Sequence, residues 1–237
     1  MSKKSHFRKR ELFQRIARTI LKIFLYGFLL SMLYIFLCKW INPPITLTQL
    51  GSLLTGHGLH RNYVSIKEIS PNAKLAVMAG EDQLFPDHNG FDFKSIQKAM
   101  KHNQKNKSLR GASTISQQVA KNVFLWQHGG YLRKGLEAYF TFMIEHIWGK
   151  KRILEIYLNE AEMGDGIFGI EAAAQYYFKK HAINLSVKEA AMIASCLPNP
   201  RLFKIQPISP RVAFRYPWIM RQMNNLQADP DIEVLLK

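Results

Sequence analysis

The stretch SPNAKLAVMAG, residues 70–80, decides the fold class, because it carries the beginning, the body and the end of a helix. Ser70 suits the N-cap, and Pro71 suits the first helical position, where a missing N–H leaves no hydrogen bond unmade. A mostly apolar segment follows, and Gly80 is a typical helix stop. The stretch therefore predicts a helix that leads directly into an acidic segment.

Helical patterns continue along the rest of the chain. They predict helices over residues 93–104, in STISQQVAKNVF, over 132–158 with a break at Gly149, in GIFGIEAAAQYYF, in LSVKEAAMIASCLPNP, and in SPRVAFRYPWIMRQMNNL with a break near Pro217. Strand-like alternation is scarce, and no internal repeat is visible. The predicted fold class is mainly α.

The first 41 residues predict a membrane anchor. Residues 1–22 carry eight basic side chains against Glu11 alone, and the apolar run Ile23–Cys38 with its flanks approaches the roughly 20 residues that cross a bilayer. A cleaved signal peptide is the alternative, but KWINPPITLT offers no small-x-small cleavage site. We expect residues 1–22 in the cytoplasm, a single transmembrane anchor over 23–41, a linker over 42–66 and an extracytoplasmic domain over 67–237. For a bacterial protein this places the chain in the inner membrane.

The net charge and the cysteine content restrict the kinds of ligand that the chain is suited to bind. The formal net charge is +16, of which +9 lies beyond residue 22. A basic domain tethered to a membrane favours anionic lipid headgroups or phosphates, and the tether argues against nucleic acid. The two cysteines, Cys38 and Cys196, exclude a disulfide framework and match no metal-binding spacing.

The segment GEDQLFPDHNG, residues 80–90, has three interpretations. A calcium loop needs glycine at its sixth position, and counting from Asp87 the glycine falls fourth, while one histidine among scattered carboxylates is weak for zinc. Helix caps and ion pairs explain Asp82, Asp87 and Asp92 well, and Asp92 can cap the helix that begins at Phe93. Glu81 follows an apolar helix directly, which makes it a candidate catalytic carboxylate.

Three downstream segments carry cations and amides. Lys94, Lys98, Lys101 and Lys105 share one helical face, which is either a solvated face or a surface for anions. LRGASTISQQVAKN places hydroxyls and amides between basic side chains at a predicted helix start. Ser113 or Thr114 as the N-cap explains part of this pattern, but a cap needs neither the two amides nor Lys121. These side chains suit a polyhydroxylated or phosphorylated ligand. LRKGLEAY places Arg133 four residues before Glu137. An ordinary intrahelical ion pair also explains this spacing.

Together these segments resemble the peptidoglycan glycosyltransferases, which polymerise lipid-linked disaccharide units. Five ordered blocks between Ala79 and Pro200 carry the resemblance. The first block comprises Glu81, Asp82, Phe85, His88, Gly90 and Asp92. The second comprises Arg110, Gly111, Ser113, Thr114, Ile115, Gln117, Gln118, Lys121 and Asn122, and the third Arg133, Lys134 and Glu137. The fourth and fifth are KKRILEIYLNEAEMGDGIFGIEAAAQYYF and LSVKEAAMIASCLPNP.

The resemblance implies a lysozyme-like, two-lobed helical domain behind one transmembrane helix. It implies that Glu81 is the general base towards the acceptor sugar's 4-hydroxyl, and that Glu137 lies near the donor and either assists the leaving pyrophosphate or orients its contacts. The implied substrate-binding residues are Arg110, Ser113, Thr114, Gln117, Gln118, Lys121, Asn122, Arg133 and Lys134, of which Lys121, Arg133 and Lys134 would neutralise pyrophosphate.

The resemblance also implies partners and cofactors. The substrates would be the lipid-linked peptidoglycan precursor (lipid II) and the growing glycan chain, used in an inverting transfer that releases polyprenyl pyrophosphate. Penicillin-binding proteins and division or elongation proteins are candidate protein partners. No cofactor and no protein-bound metal are implied, although a divalent cation could accompany the pyrophosphate.

The chain departs from the family pattern at two positions. Ser116 stands where threonine is frequent, which keeps the hydroxyl, and Gly129 stands where arginine is often found, which puts one phosphate contact in doubt. Ser95-x-x-Lys98 fits a transpeptidase nucleophile signature, but no Lys-Thr-Gly occurs, so we expect a monofunctional enzyme.

Two other functions compete with the glycosyltransferase interpretation. A lytic lysozyme-like enzyme would share the fold and the first glutamate but would need none of the paired cations. A non-catalytic, membrane-tethered subunit that binds wall or lipid would need neither carboxylate.

Overall fold

The computed structural model describes residues 3–105, 111–127 and 129–237, with side chains from residue 10 onward. The chain divides into two compact units, with the boundary between Ile41 and Asn42. The first unit contains helix α1, Lys3–Cys38. Its segment Arg10–Cys38 is 29 residues long and contains an 18-residue window with a mean hydropathy of 2.2, so it is long and apolar enough to cross a membrane.

The second unit is mainly helical, as predicted. Two short 3₁₀ turns, Ile66–Glu68 and Ala182–Asn184, accompany its α-helices. The helices are α2 (Leu47–Leu54), α3 (Pro71–Glu81), α4 (Phe93–Lys105), α5 (Ile115–Phe124), α6 (Tyr131–Ile147), α7 (Lys150–Glu160), α8 (Ile170–Phe178), α9 (Val187–Cys196), α10 (Pro210–Leu226) and α11 (Pro230–Leu236). The expectation of a mainly α fold with one long apolar N-terminal helix is confirmed.

Most predicted helix ends lie close to the observed ones. The break expected at Gly149 separates α6 from α7, and this glycine adopts a φ of 80°, which few other residues tolerate. Asp92 caps α4, since its Oδ1 accepts from the Ser95 N–H at 2.9 Å. One expectation is wrong: α10 continues through Pro217.

The segment 42–66, expected to be a linker, belongs to the compact second unit. It contains α2 and the strand β1, His60–Arg61. β1 pairs in parallel with β3 (Ile167–Phe168), which pairs antiparallel with β2 (Glu162–Gly164), so that β3 is the central strand. Backbone pairing therefore ties this segment to the middle of the domain.

Helix packing within the second unit brings distant parts of the sequence together. Helix α3 packs against α9, α10 and α11, and its residues 73–79 are buried. Helix α5 packs against α6, α7 and α2. The end of α3 and one face of α5 carry the side chains described next.

Candidate active site

Glu81 is the last residue of α3, one position beyond the predicted stop at Gly80. Its side chain is only 13% exposed. Arg215 Nη2 on α10 donates to its Oε1 at 2.9 Å, and Gln118 Nε2 on α5 donates to its Oε2 at 3.1 Å. Arg215 Nη2 also donates to the Gly80 carbonyl at 2.9 Å. Three helices therefore hold this carboxylate in one orientation.

Burial raises the pKa of Glu81 above its ordinary value, while the charge of Arg215 and the hydrogen bond from Gln118 act in the opposite direction. The negative end of the α3 dipole also disfavours the carboxylate. A carboxylate with a raised proton affinity that is held by two donors is suited to general-base catalysis.

Tyr157 on α7 determines how the Gln118 amide is oriented. Its hydroxyl donates to Gln118 Oε1 at 3.1 Å, which leaves the amide nitrogen to donate to Glu81. Burial raises the pKa of Tyr157 well above its usual range, so the hydroxyl keeps its proton. Tyr157, Gln118, Glu81 and Arg215 thus form a continuous row of hydrogen bonds.

The acidic loop after α3 is joined to the start of α5 by hydrogen bonds. The Gly90 N–H donates to His88 Nδ1 at 3.1 Å, so a neutral His88 carries its proton on Nε2 and donates to Asp82 at 3.0 Å. Asp82 Oδ2 also accepts from the Ile115 N–H at 2.9 Å, at the beginning of α5. Thr114 Oγ1 donates to the Gly90 carbonyl at 2.7 Å. This loop therefore fixes α5 relative to the end of α3.

The second predicted carboxylate, Glu137 on α6, is buried and paired with two cations. Arg133 Nη1 donates to its Oε2 at 2.8 Å, and Lys134 Nζ donates to its Oε1. The Arg133 Nε is buried without a hydrogen-bond partner among the described residues. Burial lowers the pKa of Lys121, an effect that the charge of Glu137 opposes and those of Arg133 and Lys134 reinforce. These four side chains, Lys121, Arg133, Lys134 and Glu137, are called the cation cluster below.

Helix α5 joins the base to the cation cluster. Gln118, which donates to Glu81, lies three residues before Lys121, so the two side chains share one face of the helix. Side chains at this spacing have Cβ atoms about 5–6 Å apart. The structure therefore places Gln118, which contacts the candidate base, beside Lys121 of the cation cluster.

The remaining predicted binding residues have different surroundings. Thr114 and Gln117 form a reciprocal capping box at the start of α5 and are buried, and Ser113 is exposed. Asn122 Oδ1 accepts from Gln127 Nε2 at 3.2 Å. Arg110 lies outside the described residues. Of these five residues, Thr114 and Gln117 therefore help to form the start of α5.

The two departures from the family pattern, Ser116 and Gly129, have different surroundings. A Cβ on Gly129 would lie 2.8 Å from the Arg133 Cβ and 3.0 Å from its Cδ. The glycine therefore leaves room for the Arg133 side chain. Ser116 is buried, and its hydroxyl donates to Glu145. A threonine's extra methyl group is not needed for that contact.

The sequence predicts no role for Arg215 or Tyr157, although both belong to the row of hydrogen bonds at Glu81. Tyr157 lies in the fourth block, whereas Arg215 lies beyond all five. In residues 3–105, 111–127 and 129–237, no group of three or more His, Cys, Asp or Glu side chains is placed to hold a metal ion.

Comparisons with known proteins agree with this geometry. Residues 48–224 match the family model described as Transglycosylase. A biosynthetic peptidoglycan transglycosylase of Haemophilus influenzae is 48% identical over 213 residues, which cover 88% of this chain and 87% of the relative. A protein of the same description from Salmonella enteritidis PT4 is 58% identical over 172 residues, 72% of this chain and 71% of the relative. The chain therefore belongs to the transglycosylase family.

Proposed function

We propose that this chain polymerises lipid II, a lipid-linked disaccharide-pentapeptide pyrophosphate, into uncross-linked glycan strands. It is a peptidoglycan glycosyltransferase that acts in cell-wall synthesis, the activity named for its relatives. The observation that carries the proposal is that Gln118, which donates to Glu81, and Lys121 of the cation cluster share one face of α5. A sugar hydroxyl needs a base, and a pyrophosphate leaving group needs positive charge.

Glu81 accepts the proton of the acceptor sugar's 4-hydroxyl as that oxygen attacks the anomeric carbon of the donor. The bond from the anomeric carbon to the pyrophosphate oxygen breaks, and the configuration at that carbon is inverted. General-base catalysis of this kind contributes about 10²–10⁴-fold to the rate. Arg215 and Gln118 keep the carboxylate charged and aimed, since both donate to it.

The cation cluster stabilises the charge that develops on the leaving pyrophosphate. Arg133 presents a planar fork suited to phosphate oxygens, and Lys121 and Lys134 add point charges. Glu137 holds Arg133 and Lys134 in place before substrate binds, because it accepts a hydrogen bond from each. A divalent cation could accompany the pyrophosphate, and activity measured with and without EDTA distinguishes this from neutralisation by side chains alone.

The proposed location is the inner membrane of a bacterium, with α1 as a single-pass anchor. The basic residues that precede the apolar run favour a cytoplasmic N-terminus, and the catalytic unit would then be extracytoplasmic. Penicillin-binding proteins and division or elongation proteins are the partners that this activity suggests. A protease-protection assay on membrane vesicles of known orientation tests the topology.

The experiment that tests the activity uses the full chain in detergent with purified lipid II. We expect a ladder of uncross-linked glycan products, and a loss of about 10²–10⁴-fold in the Glu81→Gln variant. Glu162→Gln is the matched control, because Glu162 is similarly buried and pairs with Arg201 at 2.9 Å. This variant should remain active.

Two results would overturn the assignment. Shortening of preformed glycan without polymerisation would identify a lytic enzyme instead. Full activity of the Glu81→Gln variant would remove Glu81 from the role of base.

A further inference from the structure

Helix α7 holds residues 43–66, called the entry segment below, against the domain through polar side chains. The Glu155 carboxylate accepts from the Ile66 N–H at 2.9 Å. The Asn159 side chain accepts from the Val64 N–H at 3.0 Å and donates to the Val64 carbonyl at 2.9 Å. The last residues of the entry segment are therefore fixed to α7 through their backbone.

The last residue of α7, Glu160, meets the entry segment in a buried cluster. Glu160 is only 2% exposed. Its Oε2 accepts from Gln49 Nε2 on α2 at 2.8 Å, and its Oε1 lies 2.7 Å from Tyr63 Oη. Tyr63 Oη also lies 3.1 Å from the carbonyl oxygen of Pro43, a buried residue, and Arg61 Nη1 donates to it at 3.2 Å. One phenol thus connects both ends of the entry segment to α7.

The Tyr63 hydroxyl has a single proton and two neighbouring oxygens that are placed to receive it. A backbone carbonyl only accepts, so the contact with Pro43 requires Tyr63 to donate to it. The same proton cannot also be donated to an ionised Glu160. A protonated Glu160 removes this conflict, because its Oε1 then donates to Tyr63 Oη while Tyr63 donates to Pro43. Once Glu160 is ionised, Tyr63 donates to the carboxylate, and the buried Pro43 carbonyl loses this donor.

We propose that Glu160, Tyr63 and Pro43 form a proton-dependent clamp on the entry segment. The clamp is closed while Glu160 carries a proton, and it loosens when that proton leaves. Loosening follows because a buried carbonyl that loses its donor destabilises the arrangement that buries it.

The surroundings of Glu160 place its titration near neutral pH. Burial raises the pKa of Glu160 to about 7, while hydrogen bonding to Tyr63 and the charge of Arg61 act in the opposite direction, with smaller effects of the same sign from Gln49 and Arg152. Burial also raises the pKa of Tyr63 to about 12, so the phenol keeps its proton where Glu160 titrates. A carboxyl with a raised pKa contributes stability that is lost as it ionises. The clamp therefore loosens as the pH rises through about 7.

The clamp is linked to the candidate active site through α2. Thr48 Oγ1 accepts from Gln127 Nε2 at 2.6 Å, and the same nitrogen donates to Asn122 Oδ1 at 3.2 Å. Asn122 is the neighbour of Lys121 in the cation cluster. A loosened entry segment therefore weakens one of the contacts at the end of α5. This consequence rests on the proposed function, whereas the clamp itself does not.

The first test detects the proton on Glu160. Infrared difference spectra between the wild type and Glu160→Gln, both as full chains in detergent, isolate the carbonyl band of a protonated Glu160. We expect the band at about pH 5.5 and its loss by about pH 8.5, with a midpoint near 7. Absence of the band at the lower pH would overturn the proposal.

The second test follows the clamp by hydrogen–deuterium exchange of the α2 amides. Wild type and Glu160→Gln are compared at each pH, so that the intrinsic pH dependence of exchange cancels. The amide of the variant reproduces both hydrogen bonds of a protonated carboxyl, since it accepts from Gln49 and donates to Tyr63. We expect equal exchange at about pH 5.5 and exchange at least about 10-fold faster in the wild type at about pH 8.5.

Two further variants show whether the effect passes through the cluster. Tyr63→Phe removes the connecting hydroxyl, so its α2 amides should exchange faster than those of Glu160→Gln at both pH values. Glu162→Gln is the matched control, because Glu162 is a nearby carboxylate that is 14% exposed and pairs with Arg201 at 2.9 Å. It should keep the pH dependence of the wild type.

Equal exchange of wild type and Glu160→Gln at every pH would overturn the proposal. So would a wild-type pH dependence in Tyr63→Phe, or its loss in Glu162→Gln. Failure of Glu160→Gln to fold, judged by far-UV circular dichroism, would also count against the clamp, because its amide should satisfy the same partners. If Tyr63→Phe does not fold, the two measurements on Glu160→Gln still decide the question. Neither readout depends on polymerisation of lipid II, so the clamp and the proposed function can fail separately.

Discussion

Replacing Arg215 by methionine should move the pH dependence of polymerisation without abolishing it. Arg215 Nη2 lies 2.9 Å from Glu81 Oε1, and the side chains are 19% and 13% exposed. Burial raises the pKa of Glu81, and the arginine is the largest influence in the opposite direction. Without it, the carboxylate binds its proton more tightly. A base is active only when deprotonated, so activity should be lost at a higher pH than in the wild type.

The size of the effect follows from the contact that is removed. A hydrogen bond to a charged group contributes about 1.5–3 kcal/mol net. At about 1.4 kcal/mol per factor of ten, its loss strengthens proton binding by about 10- to 100-fold. On the acid side of the profile, kcat/KM should therefore fall by about 10- to 100-fold, while the plateau at high pH is largely kept.

The assay is kcat/KM for polymerisation of lipid II in detergent, measured across pH. Arg215→Lys should restore part of the profile because it keeps the charge without the planar fork. Arg201→Met is the control, since it removes a 2.9 Å pair with Glu162 and should leave the profile unchanged. An equal loss of activity at every pH would refute the reasoning, because it would mean that Arg215 acts on the substrate rather than through Glu81.

Three further predictions concern packing and buried charge. Gly129→Ala should lower kcat/KM because its Cβ displaces Arg133, whereas Gly130→Ala, with open space at the Cβ, should be tolerated in the same polymerisation assay. Burial raises the pKa of Glu160 to about 7, so folding favours its protonated form and the free energy of unfolding should decrease as pH rises from about 5 to 7. Urea unfolding of Glu160→Gln should show a change smaller by about 2 kcal/mol over that range. Asp82→Asn should cost about 1–3 kcal/mol in thermal unfolding, because it weakens a buried hydrogen-bond network.

Each of these predictions has a contrary outcome. Equal activity of the two alanine variants would show that Arg133 has room to move. Parallel pH dependences of stability for the wild type and Glu160→Gln would show that another group titrates. An unchanged unfolding temperature for Asp82→Asn would show that the loop does not depend on that carboxylate.

The sequence predicted the helices of the domain because their start and stop signals are local. Ser70 with Pro71, Asp92 and Ser186 with Glu189 all cap the helices that they were expected to cap. The same kind of signal was present before α2, where Thr46 and Gln49 form a capping box. A segment without charges and with two prolines nevertheless resembles a linker, so the sequence as a whole predicts no helix there.

The candidate site was predictable where its residues share a motif. Glu81, Glu137 and the cations lie in blocks of fixed spacing, and the structure brings them to α5 and its neighbours. Arg215 could not be found in this way, because 134 residues separate it from Glu81. An arginine among the polar residues of a helix is indistinguishable in sequence from one on a solvated face.

Thr114 and Gln117 are predicted ligand-binding residues that the structure places in a helix cap. Hydroxyl and amide side chains suit both a sugar ligand and a helix cap, and their three-residue spacing is that of a capping box. The sequence offers Ser113 or Thr114 as the N-cap but assigns Gln117 to a ligand, whereas in the structure Gln117 Oε1 accepts from the Thr114 N–H and completes the cap. Spacing was the better guide to their role.

The row of hydrogen bonds from Tyr157 through Gln118 and Glu81 to Arg215 sets the smallest part of the chain that keeps the surroundings of Glu81 complete. The five sequence blocks end at Pro200, but the last partner of the base lies fifteen residues later, on α10. A fragment trimmed to the blocks would keep Glu81 and lose the charge that keeps it ionised. The functional boundary of the domain is therefore set by a single side chain of α10 rather than by the end of the recognisable pattern.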